Sequence, residues 1–249
     1  LNVLLHEFPI EQIECIDLNI DTLNIDDVSN LESNAALFVI HNIGGITNIL
    51  DIKRKRPDLL IFEDNAEGYL GSYEGKPTGS EGIVSTLSFN MNKNFTSGQG
   101  GAFCTNDDEL FNYISSYTRH GFTGKKFHYK MVGNNYRMSN VSAAILLSQI
   151  EQEVEIVERK KKSYQLYKEL LSNDEKIKIQ NTSDNTISSY WNLAIRIVGN
   201  SNYKDIETKL LEYNIETRPV FLPFQEFEHL NELPHNQNSN AIKIYNEYI

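Results

Sequence analysis

The stretch that decides the fold is Leu59-Leu60-Ile61-Phe62-Glu63-Asp64-Asn65-Ala66-Glu67-Gly68, in which an apolar run discharges directly into three carboxylates. Four apolar residues ahead of polar turn signals suit a strand buried on both faces, and its carboxyl end is where an open α/β sheet gathers ligands. Taken alone, the acids are better read as helix punctuation, with Asp64 an N-cap and Glu67 closing a capping box.

Working outward, similar runs occupy Ala36 to Ile40, Ile83 to Phe89 and Gly101 to Cys104, and their spacing permits helical crossovers. This predicts an α/β class with a mostly parallel central sheet flanked by helices. From Ser139, the expected N-cap, to about Ser172 a helical pattern runs unbroken by Gly or Pro. Its basic stretch Arg159 to Lys162 reads as a solvated face. Beyond it follow a polar linker (Asn181 to Thr186), a strand-like Tyr190 to Val198, a helix-like Tyr203 to Tyr213 and a strand-like Glu216 to Leu222. The expected division is a large α/β domain over residues 1–150, then a connecting helix and small α+β domain over 151–249. The start at Leu1 and the helix-like last residues, Tyr245 to Ile249, read as those of a fragment.

Composition narrows the class. The chain of 249 residues is 40% hydrophobic and 23% charged, which is ordinary for a globular protein. Its 23 Lys and Arg against 34 Asp and Glu give a net charge of -11, a field that repels a phosphate backbone, so nucleic acid is excluded as a partner. No apolar run approaches the roughly 20 residues of a membrane span and no signal-peptide layout opens the chain, making the cytoplasm the expected compartment. Cys15 and Cys104 have no metal-ligand spacing and are expected to be reduced and buried, and no metal site is expected.

The second chemically dense segment is Ser88-Phe89-Asn90-Met91-Asn92-Lys93-Asn94-Phe95-Thr96-Ser97-Gly98-Gln99-Gly100-Gly101. A strand ends, a lone lysine follows among small polar residues, and a glycine cluster permits close backbone approach. A partly desolvated lysine can serve as a carbonyl nucleophile. The plainer alternatives are a surface lysine and a hairpin turn leading into Ala102 to Thr105. Joined with the first segment, however, Lys93 and Asp64 can converge at one sheet edge, and pyridoxal phosphate requires that pair: an amine for its aldehyde and an acid at its ring nitrogen. Lys93 would move the substrate Cα proton, and the Ser88 hydroxyl would meet the phosphate.

The run EDNAEG, then GSYEGKPTGSEG, SFNMNK, TSGQGG and TND, followed by GNNYRMSN..AAI...QIE, resembles the DegT/DnrJ/EryC1/StrS sugar aminotransferases, pyridoxal-phosphate enzymes of fold type I. The motifs come in the family's order from about Ile16 to about Pro223. The resemblance implies that Lys93 is the Schiff-base lysine, Asp64 the acid at the pyridine nitrogen, Glu67 a neighbour of the ring where many members have Gln or His, and Ser88 the phosphate-binding serine. Asn135 matches an asparagine that reaches the phosphate of the neighbouring subunit's cofactor, which implies a homodimer with shared active sites. A lysine at 93, where the related sugar 3-dehydratases have histidine, implies transamination from a donor such as L-glutamate to a keto group of a nucleotide-linked deoxysugar. Glu67 and Glu216-Thr217-Arg218-Pro219-Val220-Phe221-Leu222-Pro223 resemble the perosamine-synthase-like 4-aminotransferases, which act on GDP- or UDP-linked 4-keto-6-deoxyhexoses. Arg218 is then a candidate substrate-facing cation, with pairing to Glu216 the equal alternative. Tyr190 and Trp191 sit where such enzymes have an aromatic pair, although a small-domain core is the commoner use of these residues.

The chain departs from the pattern in lacking the family's N-terminal phosphate-binding and ring-stacking residues and its C-terminal Leu-Pro-Ser segment, in having Phe224 and Gln225 where relatives carry His after the proline, and in Asn134 where Tyr is common. A divergent noncatalytic member retaining fold and dimer surface is the alternative reading. A nicotinamide oxidoreductase is disfavoured by the absence of GxGxxG after a strand.

Overall fold

The computed structural model describes residues 4–25, 27–200, 202–230 and 239–249. In chain order the elements are α1 (Leu4–Glu7), β1 (Ala36–Ile40), α2 (Ile49–Lys55), β2 (Leu60–Asp64), β3 (Ser72–Tyr73), β4 (Lys76–Pro77), β5 (Val84–Ser88) and β6 (Gly101–Cys104). They continue with α3 (Asp108–Tyr117), α4 (Asn140–Ile150), α5 (Glu153–Leu171), β7 (Ile177–Ile179), β8 (Thr186–Ile187), β9 (Ile195–Ile197), α6 (Tyr203–Leu211) and α7 (Asn240–Glu247). They form two compact units that interleave the chain. One holds residues 27–163 and 182–191, the other residues 1–26, 164–181 and 192–249. The units therefore do not follow a single cut at 150/151: the boundary falls inside α5, and 182–191 returns to the first unit.

In the first unit a four-stranded sheet runs in the order β1-β2-β5-β6, with β1, β2 and β5 parallel and β6 antiparallel to β5. The β1–α2–β2 crossover is helical, as the spacing predicts. Asn48 caps α2 by accepting from the Asp51 N–H, and Lys53, Arg54 and Lys55 complement its C-terminal end. Between β2 and β5 the chain instead forms the β3–β4 ribbon, whose other edge pairs with β8, so the polar linker supplies a strand.

The strands alternate rather than being buried on both faces. Leu37, Val39 and Ile61 are buried, whereas Phe38, Ile40 and Leu60 are about half exposed, because none of the described segments packs over that side; there Phe38 stacks on Phe62 with centroids 4.9 Å apart. Cys104 ends the edge strand β6 and is exposed, not buried, for the same reason.

Ser139 caps α4 by accepting from the Ser142 N–H. The expected long helix is interrupted at residues 151–152: the Gln152 N–H reaches Gln149 O, a tightened turn, before the ladder resumes with Ile156 N–H to Gln152 O. The Gln149 side chain grips Thr96 at both backbone groups, donating to its carbonyl at 2.6 Å and accepting from its N–H at 3.0 Å. Phe89, Phe95 and Leu146 form a core beneath this clamp, with Leu87, Met138 and Ile156 against it.

The second unit is built on the β7–β9 antiparallel pair. Arg196 in β9 bonds Glu247 at 2.6 Å and Asp21 at 3.0 Å, and the buried Tyr248 donates to Ile20 O at 2.8 Å, tying both distant parts of the chain together. The expected strands shrink here. Of 190–198 only Ile195–Ile197 forms a strand, and 216–222 belongs to none of the strands among the described residues, Pro219 lacking a donor.

Candidate active site

Strand alternation at the end of β2 sends Glu63 and Asp64 to opposite faces. Glu63 is buried and accepts from His41 Nε2 at 2.9 Å, from the Gly79 N–H, and from Tyr73 Oη at 3.4 Å. His41 Nδ1 accepts from the Thr47 N–H at 3.2 Å, so this network assigns its hydrogen to Nε2. Burial, and next the Glu63 carboxylate, push the Tyr73 phenol well above its ordinary range. Asp64 is half-buried, and its Oδ1 accepts from the Ala66 N–H at 3.1 Å.

No helix follows, so neither Asp64 nor Glu67 is helix punctuation. Residues 65–71 form turns instead, and Gly68 is required there because a Cβ would lie 2.4 Å from Asn65 Oδ1 and 2.5 Å from His41 Cδ2. This turn brings Glu67 to Lys93: Glu67 Oε1 lies 3.4 Å from Lys93 Nζ, both side chains about nine-tenths buried. Glu67 Oε2 accepts from the Ile43 N–H at 2.8 Å. Burial raises the Glu67 pKa; the Ile43 N–H and the Lys93 ammonium pull it back, and the nearby Asp64 carboxylate pushes it upward.

Lys93 stands in the connection between β5 and β6, so the glycine cluster does lead a hairpin back into the sheet. The connection is closed by Ser97 N–H to Phe89 O and by the Gln149 clamp on Thr96. Ser88 ends β5; its Oγ accepts from the Asn90 N–H at 3.4 Å. A pocket lined by Ala66, Glu67, Tyr69, Ser88, Lys93 and Asn94, with Phe95 and Trp191 completing it, therefore unites three of the sequence-predicted residues, with Asp64 acting on Glu67 from beside it.

Two candidates remain. Asn135 is exposed in a bridge with Arg119, outside the lining of this pocket. Arg218, in the second unit, is 82% exposed and pairs with Glu216 at 3.3 Å.

Sequence reasoning misses Ser188 and Ser189 and favours a small-domain core for the aromatic pair Tyr190 and Trp191. Ser188 Oγ donates to Gly44 O at 2.8 Å, Ser189 Oγ to Glu67 O, and Asn94 Nδ2 to Ser189 O at 2.9 Å. Trp191 belongs to this unit and this pocket, not to a small-domain core, and Lys93 Nζ sits 4.1 Å from its ring centroid. Lys160 is likewise no solvated lysine: its Nζ reaches Trp191 O at 3.4 Å, and burial lowers its pKa. The one available signal was the aromatic pair itself, which carries no spacing that would tie it to Lys93.

Among curated proteins, the chain is 30% identical over 207 residues to a GDP-perosamine synthase of Escherichia coli O157:H7, covering 81% of this chain and 56% of that one. It is 32% identical over 220 residues to the GDP-perosamine synthase of Caulobacter vibrioides, covering 84% and 59%. The chain thus spans under two-thirds of the length of these relatives. Among solved structures, the E. coli GDP-4-keto-6-deoxy-D-mannose-3-dehydratase with bound hydrated PLP superposes with a TM-score of 0.84 at 20% identity, over 94% of this chain and 67% of that one, which establishes a shared fold. A model of the DegT/DnrJ/EryC1/StrS aminotransferase family matches residues 12–249, and the chain belongs to that family.

Proposed function

We propose that this chain carries the cofactor-binding core of a pyridoxal-phosphate-dependent aminotransferase that moves an amino group from L-glutamate to a keto group of a nucleotide-linked 4-keto-6-deoxyhexose. The observation that carries this reading is the meeting of Lys93 with Glu67 at 3.4 Å in a pocket that Ser88 also lines, beside the strand-end acid Asp64. GDP is favoured over UDP as the carrier by the names of the perosamine synthases.

The donor set fits the cofactor. A largely buried primary amine, a hydroxyl at a strand end and a half-buried carboxylate at the neighbouring strand end are three groups a pyridine aldehyde phosphate needs, and the buried Asn94 Oδ1 beside Lys93 has no hydrogen-bond partner among the described residues. Lys93 would hold the aldehyde, Asp64 the ring nitrogen, Ser88 the phosphate, and Glu67 would stand beside the ring. When bound, the cofactor supplies a carbonyl for amines and a protonated ring that draws electrons from an adjacent carbon.

The residues of the chain do the rest. Lys93 Nζ takes the proton from the substrate Cα and returns it elsewhere, while the Glu67 carboxylate and the indole of Trp191 hold the ammonium between transfers. Asn135 would serve the partner subunit's phosphate in a homodimer, and Arg218 would meet a substrate phosphate by leaving Glu216. None of the helices among the described residues is long and apolar enough to cross a membrane.

The test is optical. Purified protein given pyridoxal phosphate and then freed of unbound cofactor should retain an absorbance band at the edge of the visible that shifts on addition of L-glutamate, followed by amination of a GDP-linked keto-sugar in a panel of GDP and UDP substrates. Protein that stays colourless would overturn the reading in favour of a noncatalytic family member.

A further inference from the structure

The indole of Trp191 touches the neighbourhood of Lys93 at two points. Nε1–H donates to the carbonyl of Asn92 at 2.7 Å, and the ring face lies 4.1 Å from Lys93 Nζ. One side chain therefore grips the backbone just before the lysine and the ammonium at its tip.

That grip does not depend on Lys93 itself. Trp191 O accepts from Lys160 Nζ, and the residues ahead of it are fastened by the Ser189 N–H to Gly44 O at 3.0 Å and by Ser188 Oγ to the same carbonyl. Gly44 has φ +85°, and a Cβ on it would lie 2.8 Å from Ser189 Oγ and 3.0 Å from Trp191 N, so glycine is what lets the segment approach. Trp191 is 8% exposed.

The ammonium has Glu67 at 3.4 Å, a long contact, and the indole face at 4.1 Å. A short carboxylate pair would fasten the lysine in place. A long ion pair backed by an aromatic face orients the cation yet lets it go.

We infer that Trp191 is a positioning residue for Lys93, holding the amine toward the pocket and the loop in register through Asn92. This rests on the reading of Lys93 as the cofactor-binding amine.

The experiment measures cofactor capture rather than turnover. Wild type, Trp191→Phe, Trp191→Leu and Lys93→Ala are stripped of ligand, checked for fold by circular dichroism, and mixed with pyridoxal phosphate while the band of lysine-bound cofactor, displaced from that of the free aldehyde, is followed. Trp191→Leu should capture about tenfold more slowly, the size of a partly desolvated cation–π contact, and Trp191→Phe, which keeps a smaller face, about threefold more slowly. Lys93→Ala should give no band. Wild-type capture rates in folded Trp191→Leu would overturn the inference while leaving the cofactor reading intact, whereas no band in wild type would overturn that reading and the role with it. Because Trp191 is the sole tryptophan, a second measurement needs no change at 191: its emission should shift in Lys93→Met, and unchanged emission would overturn the contact itself.

Discussion

The Ile43 N–H donates to Glu67 Oε2 at 2.8 Å from a residue whose φ is 55°. A β-branched residue in the left-handed region costs about 1–2 kcal/mol. The surrounding contacts oppose this cost: the His41 N–H to Asp64 O, the Gly45 N–H to Asn42 O, and His41 locked on Glu63. The strained residue delivers an N–H to a buried carboxylate beside Lys93.

Glu67 gives a pH prediction. Because burial raises its pKa, the native state binds its proton more tightly than the unfolded chain does. Its contribution is full below the ordinary carboxylate range and is lost as pH rises through the raised value. In urea titrations, the stability of wild type relative to Glu67→Gln should therefore fall across that window and then level off. A rise instead would mean that the Ile43 N–H and Lys93 outweigh burial.

Lys93→Ala should abolish cofactor capture and transamination while costing only about 1–2 kcal/mol of stability, because Glu67 keeps the Ile43 N–H and can take up a proton. Chemical denaturation checks the second part. A collapse of the fold would assign Lys93 a structural role.

Glu63→Ala should be among the costliest changes in the chain. It leaves the Gly79 N–H, His41 Nε2–H and the Tyr73 hydroxyl without their acceptor in a fully buried site, at least about 3 kcal/mol in sum. Glu63→Gln, which keeps an acceptor, should recover a large part of the loss. Equal midpoints for the two variants would show that the network does not stabilise the fold.

In the second unit, Glu247→Ala removes the short partner of Arg196 and leaves the guanidinium largely buried, with the more exposed Asp21 as its one remaining carboxylate among the described residues. The expected cost is about 2 kcal/mol, between the surface and fully buried limits for an ion pair. Thermal unfolding, which should also report loss of the Gly199 N–H acceptor, measures it.

Much of the sheet was legible because local pattern and tertiary role coincide. The runs at Ala36–Ile40 and Gly101–Cys104 became strands at those bounds, and Leu60–Asp64 and Val84–Ser88 within a residue or two of them. Ser139 proved an N-cap because a serine before a helical run satisfies an orphan N–H wherever the helix lies. The strand-like segments 190–198 and 216–222 fared worse, since a strand exists only where a partner offers its ladder.

The sequence by itself determined the chemistry available at the sheet edge: an acid ending β2, a hydroxyl ending β5 and a lysine five residues after it, fixed by order along the chain. Tertiary structure alone decided which long-range neighbours complete that edge. Trp191, Ser189 and Ile43 reach the site through backbone carbonyls, N–H groups and a ring face, contacts that any residue order can supply and that only packing selects. It equally decided that Arg218 pairs with Glu216 at the surface, because side-chain type says what a group can bind, while solvent exposure says what it does bind.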